Sequence, residues 1–157
     1  MMILKKLKLT NKVLLKKAKP IDFKNPKQNL HLSNMMLGFM KEQNGIGLAA
    51  PQVGLSIRMF VMQTNHDPAQ HAKYEFIFNP EIISVSKQLV QFKEGCLSFP
   101  KEYLDVIRPV SIHARFQNWK GDELETRLWG LSAICFQHEL DHLDGIVMHD
   151  RANNETN

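Results

Sequence analysis

LSAICFQHELDHLDG, residues 131–145, opens as an apolar run and closes on two histidines four positions apart, with a glutamate beside the first. Its length and apolar content predict a buried helix that follows Gly130 and ends near Gly145, a residue suited to a helix C-terminus. Residues four apart share a helix face, so His138 and His142 can converge on one ion. Glu139 is then close enough to reach a water held there without being a ligand itself. H-E-x-x-H on a helix supplies two neutral imidazoles and a base together, as metal-dependent hydrolases require. The plainer alternative is two histidines hydrogen-bonded on a polar face, but a helix this apolar gains little from them. Asp141 and Asp144 read as solvated or as supports for the ligands.

A catalytic site usually takes three protein ligands and keeps one position open. Cys96, Cys135, Glu94, Asp150 and the remaining histidines are the candidates for the third. Cys135 lies one turn before His138, but in AICFQ, an apolar stretch where a buried, inert cysteine is common. Cys96 lies in EGCLSFP, where a loop can present its thiolate to Zn²⁺ or Fe²⁺. Spacing favours Cys96 over Cys135 only mildly. His31, His66, His71, His113 and His149 read as surface or loop residues.

Working outward from the helix, VSIHARFQ and DELETRLW, joined by Asn118-Trp119-Lys120-Gly121, predict a hairpin. SIRMFVMQ, YEFIFNPEIISVS and LVQFKEG predict strands, and residues 64–73 an exposed loop. An amphipathic helix is expected from about Pro26 to Gln43, stopped at Asn44-Gly45, with its methionines as core filler. NKVLLKKAKP predicts a short helix ended by Pro20. Strands in the middle and helices at both ends indicate an α+β fold.

GIGLAAPQVG, residues 45–54, is glycine-rich but matches neither G-x-G-x-x-G nor a P-loop. Gly45 and Gly47 allow a close backbone approach, and the Gln52 amide can donate to a polarised carbonyl. A tight turn before a strand explains this stretch equally well.

The 157 residues carry a net charge of +4, are 43% hydrophobic and 23% charged, and include only two cysteines. This is the composition of an ordinary globular protein. No apolar run approaches the roughly 20 residues of a membrane span. The N-terminus lacks a secretory signal, so a cytoplasmic or equivalent reducing compartment is expected. Seven lysines fall among the first 20 residues, and no acid precedes Asp22. They read as a solvated face; without aromatic interleaving or an arginine cluster, no specific nucleic-acid site is expected.

Together, GIGLAAPQ (45–52), EGCLS (94–98) and QHELDHLDG (137–145) closely resemble, in order and separation, the three motifs of the peptide deformylases. The likeness runs from KAKPI near the N-terminus to HDR at 149–151. It implies one catalytic domain over 1–157, with a basic segment to about residue 25 and a polar tail from 150. The implied fold is α+β, mostly antiparallel strands around a C-terminal metal-binding helix, with helices near the N-terminus. The implied reaction is hydrolytic removal of the formyl group from the N-terminal methionine of newly made proteins. The resemblance makes Cys96, His138 and His142 the metal ligands, Glu139 the general base and acid, and Gln52 and the Leu97 N–H the oxyanion donors. It pairs the backbone at Ile46 and Gly47 with the peptide and builds the methionine pocket from Phe92, Leu131, Ile134 and Cys135, alongside the stem of His138. Glu94 and Arg108 match an ion pair that supports the cysteine-bearing loop. The implied metal is Fe²⁺ in cells, exchangeable for Zn²⁺, Ni²⁺ or Co²⁺ in preparations.

Two features depart from the family pattern. RANNETN, at 151–157, has no apolar face where many bacterial members continue into a helix that docks some of them near the ribosomal exit tunnel. Ribosome contact by that route is therefore not expected. Tyr103 stands where some members carry arginine, which bears on preference beyond methionine. A zinc endopeptidase would share H-E-x-x-H but take its third ligand downstream, where only His149 and Glu155 are available. A non-catalytic, metal- or formyl-peptide-binding relative would need neither Glu139 nor Gln52.

Overall fold

A computed structural model describes residues 7–155 of the chain. The first helix, α1, runs Pro26–Glu42. Asn25 begins it: its side chain accepts from the Gln28 N–H at 3.2 Å, and Pro26 follows at the first helical position, where its missing N–H costs nothing. Its end comes where expected, at Asn44 with φ 58° and a Gly45 N–H bound to Met40 O at 2.9 Å.

Seven strands follow: β1 Gly47–Ala49, β2 Met59–Gln63, β3 Tyr74–Val85, β4 Leu89–Cys96, β5 Phe99–Pro109, β6 Ser111–Gln117 and β7 Glu123–Trp129. They make a five-stranded antiparallel sheet, β1-β2-β3-β6-β7, and a separate β4–β5 pair. The metal-motif helix, α2, spans Leu131–Leu143, and a short α3 spans Met148–Glu155.

Strand alternation explains how α1 and α2 share one sheet. Along β2, Phe60 and Met62 point into a core with Ala133, Phe136 and Leu143 of α2. Met59 and Val61 point the other way, into a core with Met36 and Met40 of α1. Period-two side-chain direction thus sandwiches β2 between helices, with both faces apolar and dry. Phe60 and Phe136 meet edge to face, 5.1 Å between ring centres.

The expected α+β fold, α1, α2 and the β6–β7 hairpin are all present. One expectation is corrected, and two elements were not foreseen. NKVLLKKAKP is not helical: residues 12–15 form turns, and the segment runs on as a strap that bridges Lys19 to Ile57. Leu14 and Ala18 have helical spacing, but besides two turn bonds within it the strap is held from outside, Thr10 N–H to Gln52 O at 2.9 Å and Ala18 N–H to Leu143 O at 2.8 Å. FPKEYLDVIRP, to which no element was assigned, is a full strand, β5, with a proline near each end. The polar tail from residue 150 is helical to Glu155, within α3, with Asp150 accepting from the Val147 N–H at 3.0 Å. Five of the seven N-terminal lysines lie within residues 7–19; Lys5 and Lys6 fall outside the described residues.

Candidate metal centre and peptide cleft

The ends of β4 and the middle of α2 build the site. Glu94 and Cys96 point from one face of β4 at His138 and His142 of α2. The His138 Nδ1 donates to Glu94 Oε1 at 2.8 Å, and Cys96 Sγ lies 3.4 Å from His142 Nε2. One donor atom from each of Cys96, His138 and His142 falls within 4.8 Å of the other two. Cys135, the other thiol considered, is turned away: its Sγ lies 3.6 Å from Ile46 O, and burial pushes its pKa well up, so it stays a neutral apolar group.

Arg108, on β5, forks onto Glu94 through Nε at 2.5 Å and Nη2 at 3.0 Å. Burial alone would raise the Glu94 pKa, but hydrogen bonds from His138 and Arg108 outweigh it and hold the carboxyl below its usual range. Burial opposes charge on His138 too, yet hydrogen bonds with Cys96 and Glu94 push it up to about 10. The thiol and carboxyl thus favour positive charge at this point. The site fits a divalent cation on this ground and on its donor set, since one thiolate and two imidazoles suit borderline-soft ions. With His138 Nδ1 committed to Glu94, its other ring nitrogen is the one left for a metal, a common arrangement for metal-binding histidine.

Glu139 is buried, its Oε2 without a hydrogen-bond partner, and burial pushes its pKa up to about 7 against the opposing pull of His138. Gly47 lies against it: a Cβ there would fall 2.5 Å from Glu139 Oε1 and 2.8 Å from Cys135 Sγ. Only glycine lets β1 come this close. Gln52 sits in a single 3-10 turn, Ala50–Val53. Its Oε1 accepts from the Ala49 N–H at 2.8 Å, which leaves Nε2 facing Ser98 Oγ at 3.1 Å and Cys96 Sγ at 3.6 Å.

These groups open onto a cavity of about 620 Å³ lined by Gly45, Ile46, Gly47, Gln52, Phe92, Glu94, Cys96, Leu97, Leu131, Ile134, Cys135, His138 and Glu139. Arg108 and His142 are absent from that lining and act from behind it. Sequence reasoning missed Leu9 and Gln43, at the cleft, and most of its rim, Phe99–Tyr103. It also missed Ser98 as the partner of Gln52, although EGCLS contains it. The alternation Leu104-Asp105-Val106 was the available signal for the rim strand, β5.

The polypeptide deformylase family matches residues 3–157. The chain belongs to that family. A peptide deformylase of a Picosynechococcus strain is 43% identical over 147 residues, 94% of this chain and 78% of the relative. The crystal structure of a probable peptide deformylase from Synechococcus phage S-SSM7 superposes with TM-score 0.85 at 37% identity, covering 92% of this chain and 99% of that one. A class I type b peptide deformylase from Acinetobacter baumannii, solved bound to Met-Ala-Ser, superposes with TM-score 0.84 at 31% identity, covering 96% and 99%. As a deformylase the chain is a hydrolase of protein biosynthesis that removes the N-formyl group from nascent peptides. Peptide deformylases use a catalytic metal, and Cys96, His138 and His142 form a group able to hold one.

Proposed function

We propose that Glu139 is the proton carrier of the deformylation and that the cleft reads the first residues of an extended formylmethionyl peptide. The observation that carries this reading is a buried carboxyl, held up to about 7, beside the three ligand donors and open to the cleft.

A divalent ion held by Cys96, His138 and His142 supplies Lewis acidity, acidifying water and polarising a carbonyl. Glu139 accepts the proton that water gives up as it adds to the formyl carbon. Negative charge then grows on the formyl oxygen, where Gln52 Nε2 and the Leu97 N–H donate; a donor so placed is typically worth about 3 kcal/mol. Glu139 returns its proton to the departing amine, and formate and a free α-amine leave. The backbone at Ile46 and Gly47 pairs with the substrate as an added strand. Phe92, Leu131, Ile134 and Cys135 receive the methionine side chain, and Glu94 and Arg108 hold the Cys96 loop.

Fe²⁺ is the proposed ion in cells, with Zn²⁺, Ni²⁺ or Co²⁺ able to take its place. The whole stretch acts as one catalytic domain in the cytoplasm, where nascent chains are met; no described helix is long and apolar enough to cross a membrane. The Met-Ala-Ser bound to the Acinetobacter enzyme supports a peptide of this kind as ligand.

Formate release from formyl-Met-Ala tests the reading, run without oxygen on Fe²⁺ protein or in air on Ni²⁺ protein. Turnover by the native chain that disappears in Glu139→Gln, with metal still bound, is the expected result. Cys96→Ala is expected to lose the metal itself. A fully loaded, folded protein without turnover would overturn the assignment in favour of peptide binding without hydrolysis.

A further inference from the structure

Behind α2, away from the cleft, a second arginine completes a chain of charges that ends on a metal ligand. Asp141 is buried, and its two oxygens are fully engaged. Oδ2 accepts from Arg108 Nη1 at 2.9 Å and from Arg151 Nε at 3.0 Å, and Oδ1 accepts from Arg151 Nη2 at 2.7 Å. Arg108 in turn forks onto Glu94, and Glu94 receives His138 Nδ1. The signs alternate along Arg151, Asp141, Arg108 and Glu94, so each buried charge lies between opposite neighbours. Arg151 stands on α3 and is the one member with substantial exposure, its side chain 44% accessible.

We infer that Arg151 is a positioning residue for the metal centre: by occupying Asp141 it keeps the Arg108 fork on Glu94, and through Glu94 it fixes the ring of His138. The argument is a competition for one guanidinium. Arg151 is the hydrogen-bond partner of Asp141 Oδ1, an acceptor that would be costly to leave unmade in this interior. Without Arg151, the nearest cation able to satisfy Oδ1 is Arg108, and any turn of its planar head toward Asp141 opens the two-point fork on Glu94. Glu94 then holds His138 less firmly. Partners of metal-binding histidines typically change metal affinity by about 10–100-fold when lost. Arg151 stands two links further out, so a smaller effect is expected.

The inference rests on Cys96, His138 and His142 holding the ion, and its test separates the two ideas. Co²⁺ is loaded into the native chain, Arg151→Met, Arg151→Lys and Arg58→Met, and three quantities are followed: the visible cobalt spectrum, the rate at which a chelator strips the ion, and the melting temperature without metal. Arg58 is the control because it also anchors α2, through Leu143 O and Asp144 at 2.9 Å each, but has no link to Glu94. Arg151→Met should lose cobalt about threefold to tenfold faster, with an altered spectrum. Arg151→Lys, with a point charge in place of a fork, should fall between it and the native chain. Arg58→Met should change the melting temperature alone. If stripping rate and spectrum are native in both Arg151 variants, or change equally in Arg58→Met, the inference is overturned while the ligand assignment stands. Should Arg151→Met not fold, Arg151→Lys decides by the same two readouts. A native chain that takes up no cobalt would overturn both.

Discussion

The two faces of α2 treat buried polar groups in opposite ways. Toward the cleft, Glu139 Oε2 is buried and has no hydrogen-bond partner. Toward the back, Asp141 accepts three hydrogen bonds from two arginines, and Arg108 forks onto Glu94 as well. One helix thus carries a hungry face and a saturated one, at Glu139 and Asp141, two residues apart. Interiors rarely tolerate unpaired polar atoms, so the hungry face marks where water, ion or substrate must complete the structure. The saturated face shows what holds those groups still while they wait.

The contrast can be broken at several points. Glu139→Gln keeps the volume but removes the proton carrier, so deformylation should fall by about a thousandfold with metal content unchanged, read by formate release and metal analysis. If turnover survives, the cleft face is not the reactive one. On the saturated face the largest loss should be in folding: Arg108→Met leaves Glu94 and Asp141 buried without their shared cation. Denaturant unfolding should show about 3–5 kcal/mol less stability. Gly47→Ala pushes a methyl group into Glu139 and Cys135, and a displacement near 1 Å should lower kcat/KM by about a hundredfold while the melting temperature drops much less. Ser98→Ala, the gentlest change, frees Gln52 Nε2 from one partner. It should lower kcat by about fivefold, the worth of one neutral hydrogen bond, without releasing metal.

Much of the reactive face was legible in the sequence, and little of the supporting one. The histidines, Glu139, Cys96 and Gln52 lie in short motifs whose chemistry is local, and α2 is announced by its apolar run between Gly130 and Gly145. The hairpin β6–β7 was equally plain because Asn118-Trp119-Lys120-Gly121 separates two alternating runs. Arg151 and Asp141, ten residues apart, gave no such sign: their meeting depends on α3 turning back over β5, where Phe99 and His149 stack edge to face at 4.6 Å between centres. Strand β5 was hidden by its prolines, which lie near its ends and so spare the ladder with β4. The strap at 7–19 misled because Leu14 and Ala18 have helical spacing, whereas long-range hydrogen bonds to Gln52 and Leu143 decide its shape.

The pairing of β4 with α2 also matches two rulers of different make. Two residues along a strand advance about 6.6 Å, and four along a helix advance about 6 Å. Glu94 and Cys96 therefore keep step with His138 and His142, one contact of 2.8 Å and one of 3.4 Å. The spacing E-x-C on one element and H-x-x-x-H on the other form a single unit of length. A residue inserted between either pair would leave at most one of the two contacts in phase.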